Sequence, residues 1–265
     1  LEGLAMIRSL WTAASGMAAQ KLNIDVIANN LANVNTSGFK KSRADFADLL
    51  YQNMRAPGAT TASGGQIPTG IQVGMGTRPV SVQKVFSQGD YVQTENEFDF
   101  AIEGKGFFKV ISNGQEVYMR CGNFKIDSEG YICTPDGDRL QPEFSIPSNA
   151  VHFTVDSGGN MVVTGADGTE LASAQLTLYS FPNPSGLLSI GGNKFLPTEA
   201  SGDPVAANPG VDGMGTIAQG YLEMSNVDVV EEMVNMITSQ RAYEVSSKCI
   251  KAADEMLHMA NNIRR

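Results

Sequence analysis

The two ends of the sequence constrain its fold most, because each carries apolar residues at helical spacing over many turns. The N-terminal row consists of Leu10, Met17, Ile24, Ile27, Leu31 and Val34. The C-terminal row consists of Val230, Val234, Ile237, Val245, Cys249 and Met256, with one slip of phase near Gln240. Heptad-like spacing of this kind predicts long amphipathic helices that bury one face against each other or against copies of the chain. The core of a single ordinary domain would give the same spacing and remains an alternative here.

Composition and charge exclude several functional classes. The chain has 265 residues, with 28 acidic against 19 basic side chains and a net charge of -9. A nucleic-acid partner normally requires a basic face, so none is predicted. No apolar run reaches the roughly 20 residues that a membrane-spanning helix needs. The N-terminus also lacks the charged, apolar and small-residue order of a secretory signal, so we expect no cleaved signal peptide.

The middle of the chain has a different pattern. From about residue 79 to 181, short runs of β-branched and aromatic residues alternate with Asn-Gly, Asp-Gly and Gly-Gly turns, which predicts an antiparallel all-β domain. Residues 56–76 are instead rich in Gly, Ala, Thr and Pro and predict a long loop or extended arm. The fold class is therefore α+β, with paired N- and C-terminal helices forming a coiled-coil-like α layer, a central antiparallel all-β domain and extended connector arms.

Domain boundaries follow from these composition changes. We predict a terminal helical polymerisation domain from residues 6–38 with 225–265. A connector region comprises 39–85 with 205–224 and includes the extended arm 51–76. The β-rich outer domain is 86–204. The first helix should run from about Ser9 to Val34, and Ser225 or Asn226 should cap the last one.

Residues that could perform chemistry are few and poorly placed. His152 and His258 match no spacing typical of metal ligands or of a nucleophile system, so no catalytic residue, metal or cofactor is predicted. A glycan-cleaving carboxylate pair, Asp127 with Glu129, stays as an enzyme alternative. These two residues belong to a predicted hairpin turn, which places Cys133 opposite Phe124. A disulfide between Cys133 and Cys121 would therefore need a different register.

Long motifs give a specific resemblance. Residues 27–40 (IANNLANVNTSGFK) closely resemble the signature that opens bacterial flagellar rod and hook proteins, and residues 225–237 with 240–244 look like the closing motif of the same family. Residues 103–108 and 130–137 resemble its β-domain motifs. The resemblance covers essentially the chain from Met6 onward. Its start, its length and residues 50–58 are most similar to distal rod members, with proximal rod and hook members as the nearest alternatives.

The resemblance implies a structural polymer subunit and its surroundings. It implies a straight tubular drive shaft that transmits torque from motor to hook, crosses the periplasm toward the outer membrane and encloses an export channel. The implied partners are further copies of the chain in a helical homopolymer, proximal rod proteins and the hook protein along the axis, periplasmic and outer-membrane bushing rings, and the flagellar type III export apparatus. No small-molecule substrate is implied. A secreted β-domain adhesin with helical stalks is an alternative from another class.

Two further groups of residues receive predicted roles. Buried asparagine must hydrogen-bond, so Asn29 and Asn30 are expected to bond a neighbouring subunit, whereas Asn33 and Asn35 fit either that role or a helix-terminating turn. The arm is expected to stiffen the polymer by reaching a neighbouring subunit. Its proposed contact residues are Pro57, Thr60, Thr61, Gln66, Ile67 and Ile71.

Overall fold

The chain forms two compact units. The computed structural model describes residues 2–55, 58 and 68–263. The first, here called the terminal unit, comprises Leu1–Leu31, Ser42–Gln83 and Val229–Arg265. The second, the β unit, comprises Ala32–Lys41 and Lys84–Asp228. Both ends of the chain thus belong to one unit, while the segment between them supplies most of the other.

The terminal unit contains two long helices and two short sheets. Its elements are α1 (Glu2–Ala32), β1 (Ser42–Asp48), β2 (Tyr51–Arg55), β3 (Ile71–Gly74), β4 (Thr77–Lys84, the last residue of which lies in the β unit) and α2 (Val229–Ile263). Strand β1 pairs with β4, and β2 pairs antiparallel with β3. Within the described part of the chain, neither helix combines the length and apolarity needed to cross a membrane.

The predicted terminal helices are confirmed, but their ends differ from the sequence prediction. Helix α1 starts at Glu2, seven residues before the expected Ser9, because the intervening residues include good helix formers such as Leu4 and Ala5. Helix α2 starts at Val229, so the predicted caps are wrong. The Asn226 side chain accepts from the Lys41 backbone N–H at 2.7 Å and is used there instead.

The β unit is built from antiparallel strands, as the sequence predicts. They are β5 (Tyr91–Gln93), β6 (Phe100–Glu103), β7 (Phe108–Ser112), β8 (Gln115–Met119), β9 (Lys125–Ile126), β10 (Ile132–Cys133), β11 (Arg139–Gln141), β12 (Ala150–Val155), β13 (Asn160–Gly165), β14 (Glu170–Gln175), β15 (Leu178–Ser180), β16 (Leu188–Gly191), β17 (Lys194–Leu196), β18 (Val205–Ala207), β19 (Thr216–Gln219) and β20 (Tyr221–Glu223). The largest sheet has seven strands in the order β16-β17-β8-β7-β11-β10-β9. A three-stranded sheet, β12-β13-β14, and the pairs β15-β18, β19-β6 and β20-β5 complete the unit.

The core of the β unit lies among these strands. Its fully buried members include Phe100, Phe108, Phe124, Met161 and Leu176. A second, aromatic cluster consists of Phe107, Tyr118, Phe181, Leu187 and Phe195. The strands contribute alternate side chains to these clusters, and residues between strands, such as Phe124 and Leu176, complete them.

The β9-β10 hairpin has a register one residue different from the predicted one. Cys133 faces Lys125, not Phe124, because the Asp127 N–H bonds the Tyr131 carbonyl and leaves a three-residue turn between them. The predicted turn at 127–130 is confirmed, and Gly130 bonds back to Asp127. Both Cys121 and Cys133 are free thiols.

The motif glycine Gly38 is required by both its conformation and its surroundings. Its φ is +68°, and an added Cβ would lie 2.6 Å from the Cys121 backbone nitrogen. Gly114 has a similar φ of +78° but open space around it.

We therefore expect Gly114→Ala to lower the free energy of unfolding by about 1–2 kcal/mol through backbone strain alone. Gly38→Ala should cost about 1–3 kcal/mol more because the Cys121 backbone must move. Chemical denaturation of the two full-length variants measures the difference, and equal losses would contradict the steric account.

Candidate functional site

Among the described residues, the two helices of the terminal unit approach each other at regularly spaced positions. The pairs are Asn30 with Glu232, Asn23 with Ser239, and Gly16 with Ser246. Successive members are seven residues apart on each helix, and they advance in opposite directions. The Asn23 amide donates to the Ser239 hydroxyl at 2.8 Å, and a Cβ added at Gly16 would lie 3.6 Å from the Ser246 hydroxyl. The groups of α2 at these three positions are therefore polar.

Asn30 is satisfied within its own chain. Its residue exposure is 1%. Its amide nitrogen donates to the Ser42 carbonyl at 2.9 Å, and its side-chain oxygen accepts from the Ser42 N–H at 2.8 Å. These two bonds hold the first residue of β1 against α1. The Asn30 side chain thus bonds the Ser42 N–H and carbonyl in place of a neighbouring backbone. The expectation that Asn30 bonds a neighbouring subunit is thus corrected, because both ends of its amide are used internally.

The other motif asparagines occupy different surroundings. Asn29 lies on the exposed side of α1. Asn33 is half-buried, and its side-chain oxygen accepts from the Thr36 hydroxyl at 3.3 Å while the Thr36 N–H bonds the Asn33 carbonyl. Asn33 therefore stabilises the turn that ends α1. A contact of Asn29 or Asn33 with another subunit stays a prediction.

The predicted apolar row of α1 is mostly half-buried. Leu10, Met17, Ile24, Leu31 and Val34 are half-buried, and Ile27 is buried. Trp11, by contrast, is 70% exposed on the same helix.

The predicted apolar row of α2 is exposed. Large exposed apolar side chains on this helix are Val230, Met233, Val234, Ile237, Val245, Met256 and Met259, and Cys249 is also exposed. At about 100° per residue, Val234, Ile237 and Val245 fall on the side of α2 opposite Ser239. Helix α2 therefore has two distinct faces, a buried face that includes Ser239 and Ala253 and an apolar face that is exposed. Exposed apolar patches of this kind mark interaction surfaces.

A buried ionic cluster in the β unit brings together three distant residues that sequence reasoning did not single out. Glu223 lies between two cations, with its Oε1 at 2.6 Å from Lys40 Nζ and its Oε2 at 2.5 Å from Arg120 Nε. The three side chains are 6% exposed or less. The only signal in the sequence was a single acidic residue inside the short apolar strand β20.

Backbone carbonyls complete the coordination of both cations. Arg120 donates to the carbonyls of Gly106 at 2.6 Å and Ile102 at 2.9 Å, and also to that of Gly104. Lys40 donates to the Ser87 carbonyl at 2.7 Å. The cluster thus fixes the segment after α1, the loop after β8 and strand β20 to one another within the β unit.

The cluster carries two cations for one carboxylate. Burial lowers the pKa of Lys40 from its ordinary value, while the neighbouring Glu223 carboxylate opposes that shift and Arg120 adds to it. The surroundings of Lys40 therefore disfavour its charged form.

Residues considered for chemistry have structural explanations. Glu129 pairs with Arg139 at 2.6 Å, and Asp127 accepts from the N–H of Ser128 at 2.6 Å. The first interaction joins the hairpin turn to strand β11, and the second lies within the turn. Over the described ranges, no group of three or more acidic, His or Cys side chains is placed to hold a metal ion.

Most of the predicted arm contacts lie outside the described residues. Pro57, Thr60, Thr61, Gln66 and Ile67 fall there. Ile71 is described, begins β3 and is 47% exposed. The stiffening role stays a prediction.

Comparisons with known proteins agree with the motifs. Residues 10–40 match the family of flagella basal body rod proteins, residues 101–163 match the flagellar hook protein FlgE/F/G D1 domain, and residues 218–263 match the flagellar basal body rod FlgEFG protein C-terminal family. The chain is 45% identical to the flagellar basal-body rod protein FlgG of Buchnera aphidicola subsp. Schizaphis graminum, over 97% of this chain and 100% of the relative. It is also 45% identical to FlgG of Borreliella burgdorferi (98% of this chain, 100% of the relative) and of Caulobacter vibrioides (97% and 100%).

The charge imbalance of the cluster predicts unequal effects of two substitutions. Glu223→Gln leaves Lys40 and Arg120 as unpaired buried cations and should lower the free energy of unfolding by about 3–5 kcal/mol. Lys40→Met leaves a neutral Arg120–Glu223 pair and should cost only about 1 kcal/mol, for the hydrogen bonds lost. Urea denaturation followed by circular dichroism measures both variants. A Lys40→Met loss as large as that of Glu223→Gln would refute the charge argument.

Proposed function

This chain belongs to the flagellar basal-body rod protein family and is a structural rod subunit, and we propose that it polymerises into the rigid tubular distal rod. In that rod the terminal helices would form a coiled-coil-like α layer around an axial export channel. The polymer would transmit torque from motor to hook across the periplasm. The relatives carry the name of rod proteins, which favours the rod over the hook among the family alternatives.

The uncovered apolar face of α2 is the observation that supports polymerisation. Val230, Val234, Ile237 and Val245 are each more than half exposed in the single chain. Burial of such side chains against another copy gains about 25 cal/mol for each Å² of apolar surface removed from water. The opposite face of α2 already contacts α1 through Ser239. A second copy is thus the natural cover for the apolar face, and the helices gain stability from assembly.

Other partners follow from the family. As a rod subunit the protein assembles with other rod and hook components of the flagellum. We further propose contacts with the bushing rings of the periplasm and outer membrane, and export through the flagellar type III apparatus.

A charge placed on the apolar face tests the polymer interface. We expect Val234→Asp to fold like the wild type, because the side chain is 54% exposed in the single chain. In the polymer the carboxylate would be buried without a partner, which costs several kcal/mol. The concentration needed for assembly should therefore rise at least tenfold. Sedimentation and electron microscopy measure assembly, and circular dichroism measures folding.

Gln240→Asp is the matched control for this experiment. It adds the same charge to α2 at an exposed position that is already polar. We expect its assembly to stay near that of the wild type. Normal tubes from Val234→Asp would show that the apolar face of α2 is not an assembly surface.

A further inference from the structure

Glu232 is a buried carboxylate whose charge is not balanced within its unit. The residue is 5% exposed and lies in the first turns of α2. Among the residues that the structure describes, its one hydrogen bond comes from the Asn30 amide at 3.3 Å, and it forms no ion pair. An uncompensated buried carboxylate costs several kcal/mol. Glu223 in the β unit, by contrast, has two cations.

Local features of α2 do not remove this cost. The positive end of the helix favours a nearby carboxylate, by an amount that depends on geometry. That gain is smaller than the penalty for burial. A neutral glutamine would keep the hydrogen-bonding capacity without the charge, so the negative charge itself needs an explanation.

A polar cavity adjoins the carboxylate. Its volume is about 240 Å³. The polar groups around it include those of Asn23, Asn30, Glu232, Asn235, Thr238 and Ser239. Amide and hydroxyl oxygens beside a carboxylate provide the acceptors that an ammonium or guanidinium group requires.

Arg43 also borders this cavity but has another partner. Its Nε lies 3.1 Å from Asp45 Oδ1, and its side chain is 63% exposed. The guanidinium is thus held at the surface and does not neutralise Glu232. The cavity remains complementary to a cation from outside the chain.

We propose that, in the assembled rod, this cavity receives a Lys or Arg side chain of a second copy, which pairs with Glu232. The inference rests on the proposed polymerisation. The terminal unit itself offers exposed basic side chains with no hydrogen bond or ion pair among the described residues. They are Lys21, Arg78, Lys248 and Lys251. The cavity lies on the side of α2 opposite the exposed apolar face, so this contact is separate from the one proposed for that face.

Glu232→Gln separates this role from a structural one. In the free chain it removes an unbalanced buried charge, so the melting temperature should be equal to or higher than that of the wild type. In the polymer it removes the intersubunit ion pair, so the concentration needed for assembly should rise at least tenfold. Thermal melts and sedimentation measure the two effects. Asp254→Asn, which removes an exposed acidic charge from the same helix, should change neither.

Charge exchange tests the proposed donor. Glu232→Lys alone should block assembly. Four double variants combine Glu232→Lys with a Glu substitution at one of the four basic positions, and one of them should restore assembly. Failure of all four combinations to restore assembly would overturn the assignment of the donor to this chain. If chelation or exchange of metal ions weakens wild-type assembly but leaves Glu232→Gln unaffected, the occupant is a metal ion and not a side chain.

Two results would overturn the role of the carboxylate. One is wild-type assembly by Glu232→Gln, and the other is an equal loss of folding stability and assembly. A variant in which Arg43→Gln alone reproduces the assembly loss would identify Arg43 as the cation. Wild-type tube formation in the same experiments tests the proposed function separately, because it does not depend on the variants.

Discussion

The ion cluster around Glu223 is the interaction on which the β unit depends. One carboxylate holds Lys40, from the segment after α1, and Arg120, from the loop after β8, while lying on strand β20 itself. Each of these elements is short and would not hold its position through its own backbone hydrogen bonds. The Gly38 N–H also bonds the Glu223 carbonyl, at 2.8 Å. Both ends of the β unit are therefore fixed at a single residue.

The coarse architecture could be predicted from sequence because it follows from local periodicity. Apolar residues at helical spacing gave α1 and α2, and alternating residues between Gly turns gave the strands. The start of α2 was missed because a helix cap requires a side chain that is free to bond the first turn. The Asn226 side-chain oxygen is not free, because it accepts a hydrogen bond from the Lys41 backbone N–H. The ionic cluster was missed because its members are separated by up to 183 positions, and no local pattern indicates such a pairing.

The candidate interface shows a different limit of sequence reasoning. Periodicity identified the apolar stripe of α2 but could not say what the stripe faces. The contacts with α1 use Ser239 and Glu232 on the opposite side, and polar residues such as these give no hydrophobic signal. Asn30 likewise drew attention by its type, yet its partner Ser42 lies across a turn whose geometry only the structure provides.

The members of the ionic cluster are far apart in sequence, so they become available at different times in a chain that emerges N-terminus first. Lys40 and Arg120 are available long before Glu223, which lies close to the start of α2. Until that residue arrives, the two cations have no carboxylate, and their burial is unfavourable. Closure of the β unit around the cluster is therefore disfavoured in an incompletely emerged chain. It becomes favourable only when nearly the entire polypeptide is present, so the last strand before α2 controls when the β unit can close.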